Sequence, residues 1–185
     1  GGVVGFINEG ALSKAVSIVN INVQTTNDVQ ATDVVSVGGV AGTAFSAQTA
    51  PVSAQISDVL YNGTSLTGGT RIGGIVGTLG LMKITRAIST LTIDNQVSED
   101  PRGSLIGLAY GGNNIITNSL FIASTSQSSS GTNINYGCGW IGMPSASCAA
   151  TPVTLEQLKT KSLYTNAGWS ISGSDTSNVV PTINF

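Results

Sequence analysis

A five-residue motif that recurs along the chain constrains the fold more than any other feature of the sequence. It has two small residues, usually glycines, then two apolar residues and a closing glycine. Its copies read GGVVG (1–5), GGVAG (38–42), GGIVG (73–77), GSLIG (103–107) and CGWIG (138–142). The copies begin about 35 residues apart, and periods of roughly 20–50 residues are typical of stacked structural repeats. A phosphate-binding glycine loop occurs once and precedes a helix, so the recurrence argues against a nucleotide site.

An apolar segment follows each of the first four motif copies. These segments begin at Leu12 (LSKAVSIV), Val52 (VSAQISDV), Ile84 (ITRAISTL) and Ile116 (ITNSLFIA), and their near-alternating Val, Ile and Thr residues favour strands. A third apolar piece leads into the next glycine pair, as in TRIGG (70–74). We therefore expect an all-β protein, a β-solenoid of about four to five coils, whose glycines allow tight bends and whose aliphatic residues stack in rows.

The repeat pattern divides the chain into two regions. Residues 1–136 are predicted to form the solenoid coils, and residues 137–185 a terminal coil with a small mixed C-terminal cap. The segment TLEQLK (154–159) predicts a short helix with Thr151 or Thr154 as its N-cap. We expect this helix to lie over the open end of the last coil, where it would hide unpaired strand edges.

The two cysteines, Cys138 and Cys148, predict a local disulfide. Two thiols in a chain without histidine cannot complete a four-ligand zinc site, and their spacing excludes a CxxC redox pair. A disulfide suits a polar, lysine-poor chain, although free thiols remain the alternative. The expected location is therefore extracellular or on a bacterial cell surface.

Composition argues against several classes of partner. Charged residues make up 9% of the chain, and the seven Lys and Arg residues are scattered, so we expect no nucleic-acid binding. No apolar run approaches the ~20 residues of a membrane helix, so we expect no membrane insertion.

The sequence starts with a complete copy of the motif, without an initiator Met or a signal peptide. This start predicts a mature product, or a C-terminal fragment whose partner is the upstream part of a longer fibre chain. A homotrimer is compatible with a fibre tip.

The repeats resemble the GLUG motif of bacterial surface and secreted proteins. GSLIGLAYGGNNIITNSLFIAS (103–124) matches that pattern most closely, GGIVGTLGLMKITRAIST (73–90) comes second, and the resemblance covers most of residues 1–125. The segment TLEQLKTKSLYTNAGWSISG (154–173) is similar to the stretch that commonly follows such repeats. The chain departs from the pattern where Cys138 replaces a glycine and Trp140 an aliphatic residue. The resemblance implies a β-solenoid of an adhesin, a fibre protein or a large secreted enzyme.

The sequence offers little for catalysis. Without histidine the chain cannot hold a Ser–His–Asp or Cys–His site, and we expect neither an enzyme nor a resident cofactor or metal. A calcium ion in the Asp- and Asn-containing loops stays open. The repeat-equivalent residues Lys14, Gln55, Arg86 and Asn118 include no carboxylate. The minor enzyme hypothesis, a carbohydrate-active β-helix, would rely on Asp58, Asp94, Glu99 or Asp100.

Candidate ligand-binding residues come from turns that combine Tyr with Asn. They are Tyr61, Asn62, Tyr110, Asn113 and Asn114, although ordinary turn residues are the simpler interpretation. Tyr supplies rigid contact area and Asn adaptable hydrogen bonds. The other aromatic residues, Trp140, Tyr164 and Trp169, are predicted to be buried.

The function predicted from these features is that of a non-enzymatic adhesin or fibre domain. It would recognise a surface glycan or protein of another cell through loops on a rigid scaffold. A purely structural spacer of a long surface protein is the alternative.

Overall fold

The computed structural model describes residues 1–24, 34–47, 54–93, 101–110, 115–122, 137–141 and 147–171. In these ranges the chain is mostly β-strand. The strands are β1 (Val4–Asn8), β2 (Ala11–Ser17), β3 (Ile21–Asn22), β4 (Ser36–Gly38), β5 (Ala41–Phe45), β6 (Gln55–Tyr61), β7 (Leu66–Thr67), β8 (Arg71–Gly73), β9 (Val76–Gly80), β10 (Lys83–Ser89), β11 (Arg102–Gly103), β12 (Ile106–Tyr110), β13 (Ile115–Ile122), β14 (Cys138–Ile141) and β15 (Ser147–Val153). A 3-10 turn (Gln157–Lys159) and the helix α1 (Lys161–Asn166) follow.

Strands from successive repeats lie side by side in parallel sheets. The motif sheet has the order β1-β5-β9-β12-β14, and the segment sheet has the order β2-β6-β10-β13-β15. Two smaller sheets have the orders β4-β8-β11 and β3-β7. We number the repeats 1 to 5 by their strand in the motif sheet. The predicted β-rich class is thus confirmed, and each repeat contributes one strand to each large sheet.

Rows of apolar side chains from successive repeats form the core. One row runs through the motif sheet, and its members are Val4, Ala41, Val76, Ile106 and Cys138. Another runs through the segment sheet, and its members are Leu12, Ile56, Ile84, Ile116 and Cys148. Both rows contribute to the same buried cluster, so the stacking of like residues in register is what removes apolar surface from water.

The closing glycine of the motif allows two strand layers to touch backbone to backbone. A Cβ atom on Gly107 would lie 2.7 Å from the amide nitrogen of Ile72, and one on Gly77 would lie 2.6 Å from that of Val37. Any larger residue would therefore push backbone against backbone at these positions. Gly5 holds the same position in repeat 1, but a Cβ atom there would meet nothing within 4 Å.

The last repeat is shifted relative to the prediction. Cys138 was expected to replace the first glycine of the motif and Trp140 an aliphatic residue, but Cys138 pairs with Ile106 and Trp140 with Leu108. Cys138 therefore takes an inward position. The shift is favoured because it brings both cysteines into core rows, where the predicted Cys138–Cys148 disulfide forms with a Cα–Cα distance of 6.4 Å. The predicted burial of the Trp140 side chain lies outside the described residues.

A capping box between Thr154 and Gln157 opens the C-terminal helical segment. The Thr154 hydroxyl accepts a hydrogen bond from the Gln157 amide (3.1 Å), and the Thr154 amide donates to the Gln157 side chain (2.8 Å). This reciprocal pair satisfies two backbone donors at the start of the segment. Thr154 thus makes the capping contact that the sequence predicts, but the helix predicted over 154–159 is only the 3-10 turn Gln157–Lys159, with Glu156 at its N-cap position, and α1 follows it.

The prediction for the position of this helical segment is wrong. Its buried side chains, Leu158, Tyr164 and Trp169, pack on an apolar row along the outer face of the segment sheet rather than over an end of the stack. That row consists of Leu60, Ile88 and Leu120 from repeats 2, 3 and 4. The lateral position is favoured because it covers three large apolar side chains at once. Tyr164 and Trp169 are buried, as predicted.

Candidate functional site

Four repeats place a residue with left-handed backbone at the same point of the segment sheet. Lys14, Asp58, Arg86 and Asn118 have φ values between 51° and 57°. For a non-glycine residue this conformation costs about 1–2 kcal/mol, so its recurrence marks a bend that the fold requires. The bend breaks the strict alternation of the strand, because Ile84 and Ala87, on either side of Arg86, both reach the core.

This bent row contains a two-point ion pair. The Arg86 side chain donates from Nε to Asp58 Oδ1 (2.5 Å) and from Nη2 to Asp58 Oδ2 (2.8 Å). These hydrogen bonds and the positive charge lower the pKa of Asp58, and the carboxylate in turn raises the pKa of Arg86. Lys14 adds a smaller favourable charge to the environment of Asp58.

The sequence assigned Gln55 to this row and found no carboxylate in it, which is wrong. Gln55 pairs with Ala11 and Lys83, whereas Leu12 pairs with Ile56. The second segment therefore starts its core pattern at Ile56, four residues after Val52, because Ile56 and Val59 are the residues that reach the core.

The ion pair speaks against acid catalysis by Asp58. A general acid needs a carboxyl group that is still protonated near neutral pH, and the lowered pKa of Asp58 does the opposite. The other carboxylates of the enzyme hypothesis, Asp94, Glu99 and Asp100, lie outside the described residues. Within the described ranges, no three His, Cys, Asp or Glu residues are close enough to hold a metal ion.

The ion pair predicts a pH-dependent contribution to stability. Asp58→Asn keeps a side chain that tolerates the left-handed backbone but removes the charge, and should lower the free energy of unfolding at pH 7 by about 1 kcal/mol. The pKa of Asp58 is lower in the folded than in the unfolded state. The difference between wild type and variant should therefore be present above pH ~4 and vanish as the pH falls below the folded-state pKa.

Urea unfolding at pH 7 and at pH 2.5 measures this difference. Glu156→Gln is the control, because it removes the carboxylate of the exposed Lys159–Glu156 pair and should change stability less. An Asp58→Asn effect of the same size at both pH values would show that the ion pair is not its source.

The structure removes Tyr61 from the predicted ligand site. Its side chain is fully buried, and its hydroxyl donates to the carbonyls of Val19 (3.1 Å) and Ser65 (3.3 Å). A Cβ atom on Gly39 would lie 2.2 Å from the Tyr61 ring, so the glycine leaves room for that ring inside the stack. Burial raises the pKa of Tyr61. The prediction that Tyr61 is an accessible turn residue is therefore wrong.

Asn62 makes two hydrogen bonds to the neighbouring repeats, one to repeat 1 and one to repeat 3. Its amide donates to the Ser17 carbonyl (2.8 Å), and its side-chain oxygen accepts from the Thr90 hydroxyl (3.1 Å). Tyr61 is the last residue of β6 in the segment sheet and Asn62 follows it, whereas Tyr110 is the last residue of β12 in the motif sheet. The structure thus separates them into two places. Asn113 and Asn114 lie outside the described residues.

Tyr110 forms part of an aromatic pair on the motif sheet. Its ring stacks with that of Phe45, with 6.1 Å between the centroids and 24° between the planes. The two residues come from repeats 2 and 4, and Gly80 of repeat 3 lies between them in register. A Cβ atom on Gly80 would lie 2.6 Å from Phe45 and 3.0 Å from Tyr110, so a side chain there would separate the rings. We call Phe45, Gly80 and Tyr110 the aromatic platform.

Sequence reasoning missed Phe45 because it stands in no turn and beside no asparagine. The usable signal is its position three residues after a closing glycine, which it shares with Gly80 and Tyr110. Of the platform, Tyr110 is the exposed member, with 37% of its surface accessible. An aromatic surface of this kind can take apolar or ring-shaped groups by stacking.

Comparisons of the chain with protein-family models, with curated proteins and with solved structures returned no match. Among the described residues, no helix is long and apolar enough to cross a lipid bilayer.

Proposed function

We propose that this chain is a β-solenoid domain of an extracellular or cell-surface protein related to the GLUG-motif proteins. The parallel order of the repeats in both large sheets supports the solenoid, since each repeat adds one strand to each sheet. The Cys138–Cys148 disulfide supports an oxidising compartment. The recurring glycine motif supports the family.

Its proposed role is recognition of a glycan or a protein on another surface. The observation that carries this proposal is the aromatic platform, because Tyr110 is exposed on a ring pair held by two different repeats. A rigid scaffold holds such a ring in place before binding, so little conformational entropy is lost when a ligand stacks on it. The binding would need neither a cofactor nor a covalent step.

A purely structural spacer is the second candidate, and a specific observation favours it. Tyr61 and Asn62, which the sequence assigned to ligand binding, both make their hydrogen bonds inside the stack. A spacer needs only these internal contacts between repeats.

Tyr110→Ala should weaken ligand binding at least about tenfold, since an aromatic contact residue commonly contributes 1–2 kcal/mol or more. The measurement is binding of the purified, oxidised chain to a glycan array and to intact bacterial and host cells, followed by titration of the best ligand. Tyr110→Phe should retain most of the affinity if stacking is the main contact.

Leu155→Ala is the matched control, because Leu155 is also an exposed apolar residue but lies near the C-terminal helix. If both alanine variants bind as the wild type does, the platform is not the site. If the folded wild-type chain binds no glycan and no cell, the spacer is favoured.

A further inference from the structure

The exposed apolar side chains concentrate at one end of the stack. β1 and β2 are the edge strands of the two large sheets, and we call their unpaired side the upstream face. Of the eight large apolar side chains exposed among the described residues, five belong to repeat 1: Val3, Phe6, Val16, Ile18 and Val19. Exposed apolar side chains that concentrate in one repeat indicate an interaction surface more strongly than the same number scattered over the molecule.

At the motif turns, the backbone amides of one repeat donate their hydrogen bonds to the repeat that follows it. The amides of Val40 and Ala41 both donate to the carbonyl of Ile75 in the next repeat. The amides of Val3 and Val4 donate in the same way to the carbonyl of Val40. Each such carbonyl thus accepts two N–H groups from the repeat before it. Val3 holds this acceptor position in repeat 1, so the upstream face suits a partner that presents a pair of turn amides.

The position beside Gly5 has room for a further strand. Gly77 of repeat 3 rests on β4, the strand that leads into repeat 2. Gly107 of repeat 4 rests on β8, the strand that leads into repeat 3. A closing glycine therefore receives the strand that leads into the repeat before its own, and the position beside Gly5 is open to such a strand.

The opposite end of the segment sheet is unsuited to this kind of pairing. The Ser17 carbonyl accepts from the Asn62 amide of the next repeat, and the Tyr61 carbonyl accepts from the Thr90 amide. Pro152 holds the equivalent position in repeat 5. In a parallel strand the N–H and the C=O of one residue face the same neighbour, so Pro152 lacks the N–H that a strand beyond β15 would require.

We propose that the upstream face is a docking surface for another Gly-Gly-x-x-Gly repeat. Such a repeat provides the paired turn amides for Val3, a lead-in strand for Gly5 and apolar rows that continue those of repeat 1. The last repeat of a second copy of this chain is not the occupant, because Pro152 interrupts its outer edge. This proposal depends on the order of the strands and not on ligand recognition at the aromatic platform.

The test adds an occupant to the full chain. Residues 34–72 supply one repeat with its lead-in strand β4, and residue 72 is followed by a glycine pair in the natural sequence. A duplicate of 34–72 fused before Gly1 therefore continues the register. Hydrogen exchange of the β1 and β2 amides should slow by about tenfold or more, since edge strands open more easily than paired ones.

Gly5→Ala gives a sharper readout in the same pair of proteins. In the 185-residue chain the added Cβ atom meets nothing within 4 Å, so stability should not change. In the extended chain a lead-in strand would lie against Gly5, and the same substitution should reduce the folding equilibrium constant at least about tenfold. A second extended chain, with residues 69–102 fused before Gly1, repeats the test with the lead-in strand β8.

Each outcome decides the proposal. Slowed exchange at β1 and β2, together with a Gly5→Ala effect that appears only in an extended chain, supports it. If neither added repeat protects β1 and β2, the upstream face is not such a docking surface. If the 185-residue chain associates with itself in analytical ultracentrifugation and Phe6→Lys abolishes this, the occupant is a second copy and the proposal is overturned.

Discussion

Gly107→Ala is expected to lower the free energy of unfolding by about 2–4 kcal/mol, whereas Gly5→Ala should change it by less than about 0.5 kcal/mol. Both glycines close a copy of the same motif, and neither has a positive φ. They differ in their surroundings. A Cβ atom on Gly107 would lie 2.7 Å from the Gly77 carbonyl oxygen and 2.7 Å from the Ile72 amide nitrogen. These are backbone atoms of two neighbouring strands, so relief requires that the strand layers move apart.

Chemical denaturation of the two variants and the wild type measures the effect, provided that the slopes of the transitions agree. Gly5→Ala controls for the general effect of replacing glycine in a strand. Equal stabilities of the two variants would mean that the layers are not in backbone contact, and the account of the closing glycine would be wrong.

Trp169→Ala is expected to have an effect of similar size, about 3–5 kcal/mol, on the unfolding of the C-terminal segment. Trp169 is buried in the same cluster as Leu158 and Tyr164, against the row of Leu60, Ile88 and Leu120. Its backbone amide also donates to the Tyr164 carbonyl (2.9 Å). Loss of the indole ring leaves a large cavity and exposes part of the outer face of the segment sheet.

Hydrogen exchange separates a local from a global effect. The amides of Leu163 and Ala167 should exchange faster in Trp169→Ala, while those of β9 should keep their protection. Leu155→Ala, at an exposed position of the same segment, should leave both sets unchanged. Faster exchange in β9 as well would show that this segment stabilises the whole stack.

Much of the strand pattern could be predicted because the core rows consist of apolar residues that recur at equivalent positions of successive repeats. Stacked repeats bury a residue when its counterparts above and below are also apolar, and the motif copies of repeats 2, 3 and 4 meet this condition at both of their apolar positions. The capping box at Thr154 is equally local, since it needs only two residues three positions apart.

Register was harder to predict, because residues of similar chemistry compete for the same inward position. CGWIG matches the motif by letters, but Cys138 pairs with Ile106 and not with the first glycine of repeat 4. Alignment by letters also placed the start of the second segment's core pattern at Val52, whereas Ile56 is the residue that pairs with Leu12. Both errors come from aligning the repeats by residue identity. The observed register is instead the one that places apolar side chains of suitable size at the inward positions.

The candidate site depended on that register. Tyr61 stands before Asn62 and Gly63 and therefore matches a turn, but Gly39 of the same repeat makes room for its ring inside the stack. Phe45 and Tyr110 are far apart in sequence. Their rings stack only because the one strand between them carries Gly80, which has no side chain, at the same register position. Contacts of this kind follow from the stacking and not from local composition.

The direction of the turn hydrogen bonds links the structure to the order of synthesis. The amides of each motif turn are satisfied by a carbonyl in the repeat that follows, as Val40 and Ala41 are by Ile75. A newly synthesised repeat therefore cannot complete the hydrogen bonds of its motif turn until the next repeat has been synthesised. Because a polypeptide emerges from its N-terminus, completion can advance one repeat behind the point of emergence, and partly made chains present one unfinished turn instead of several.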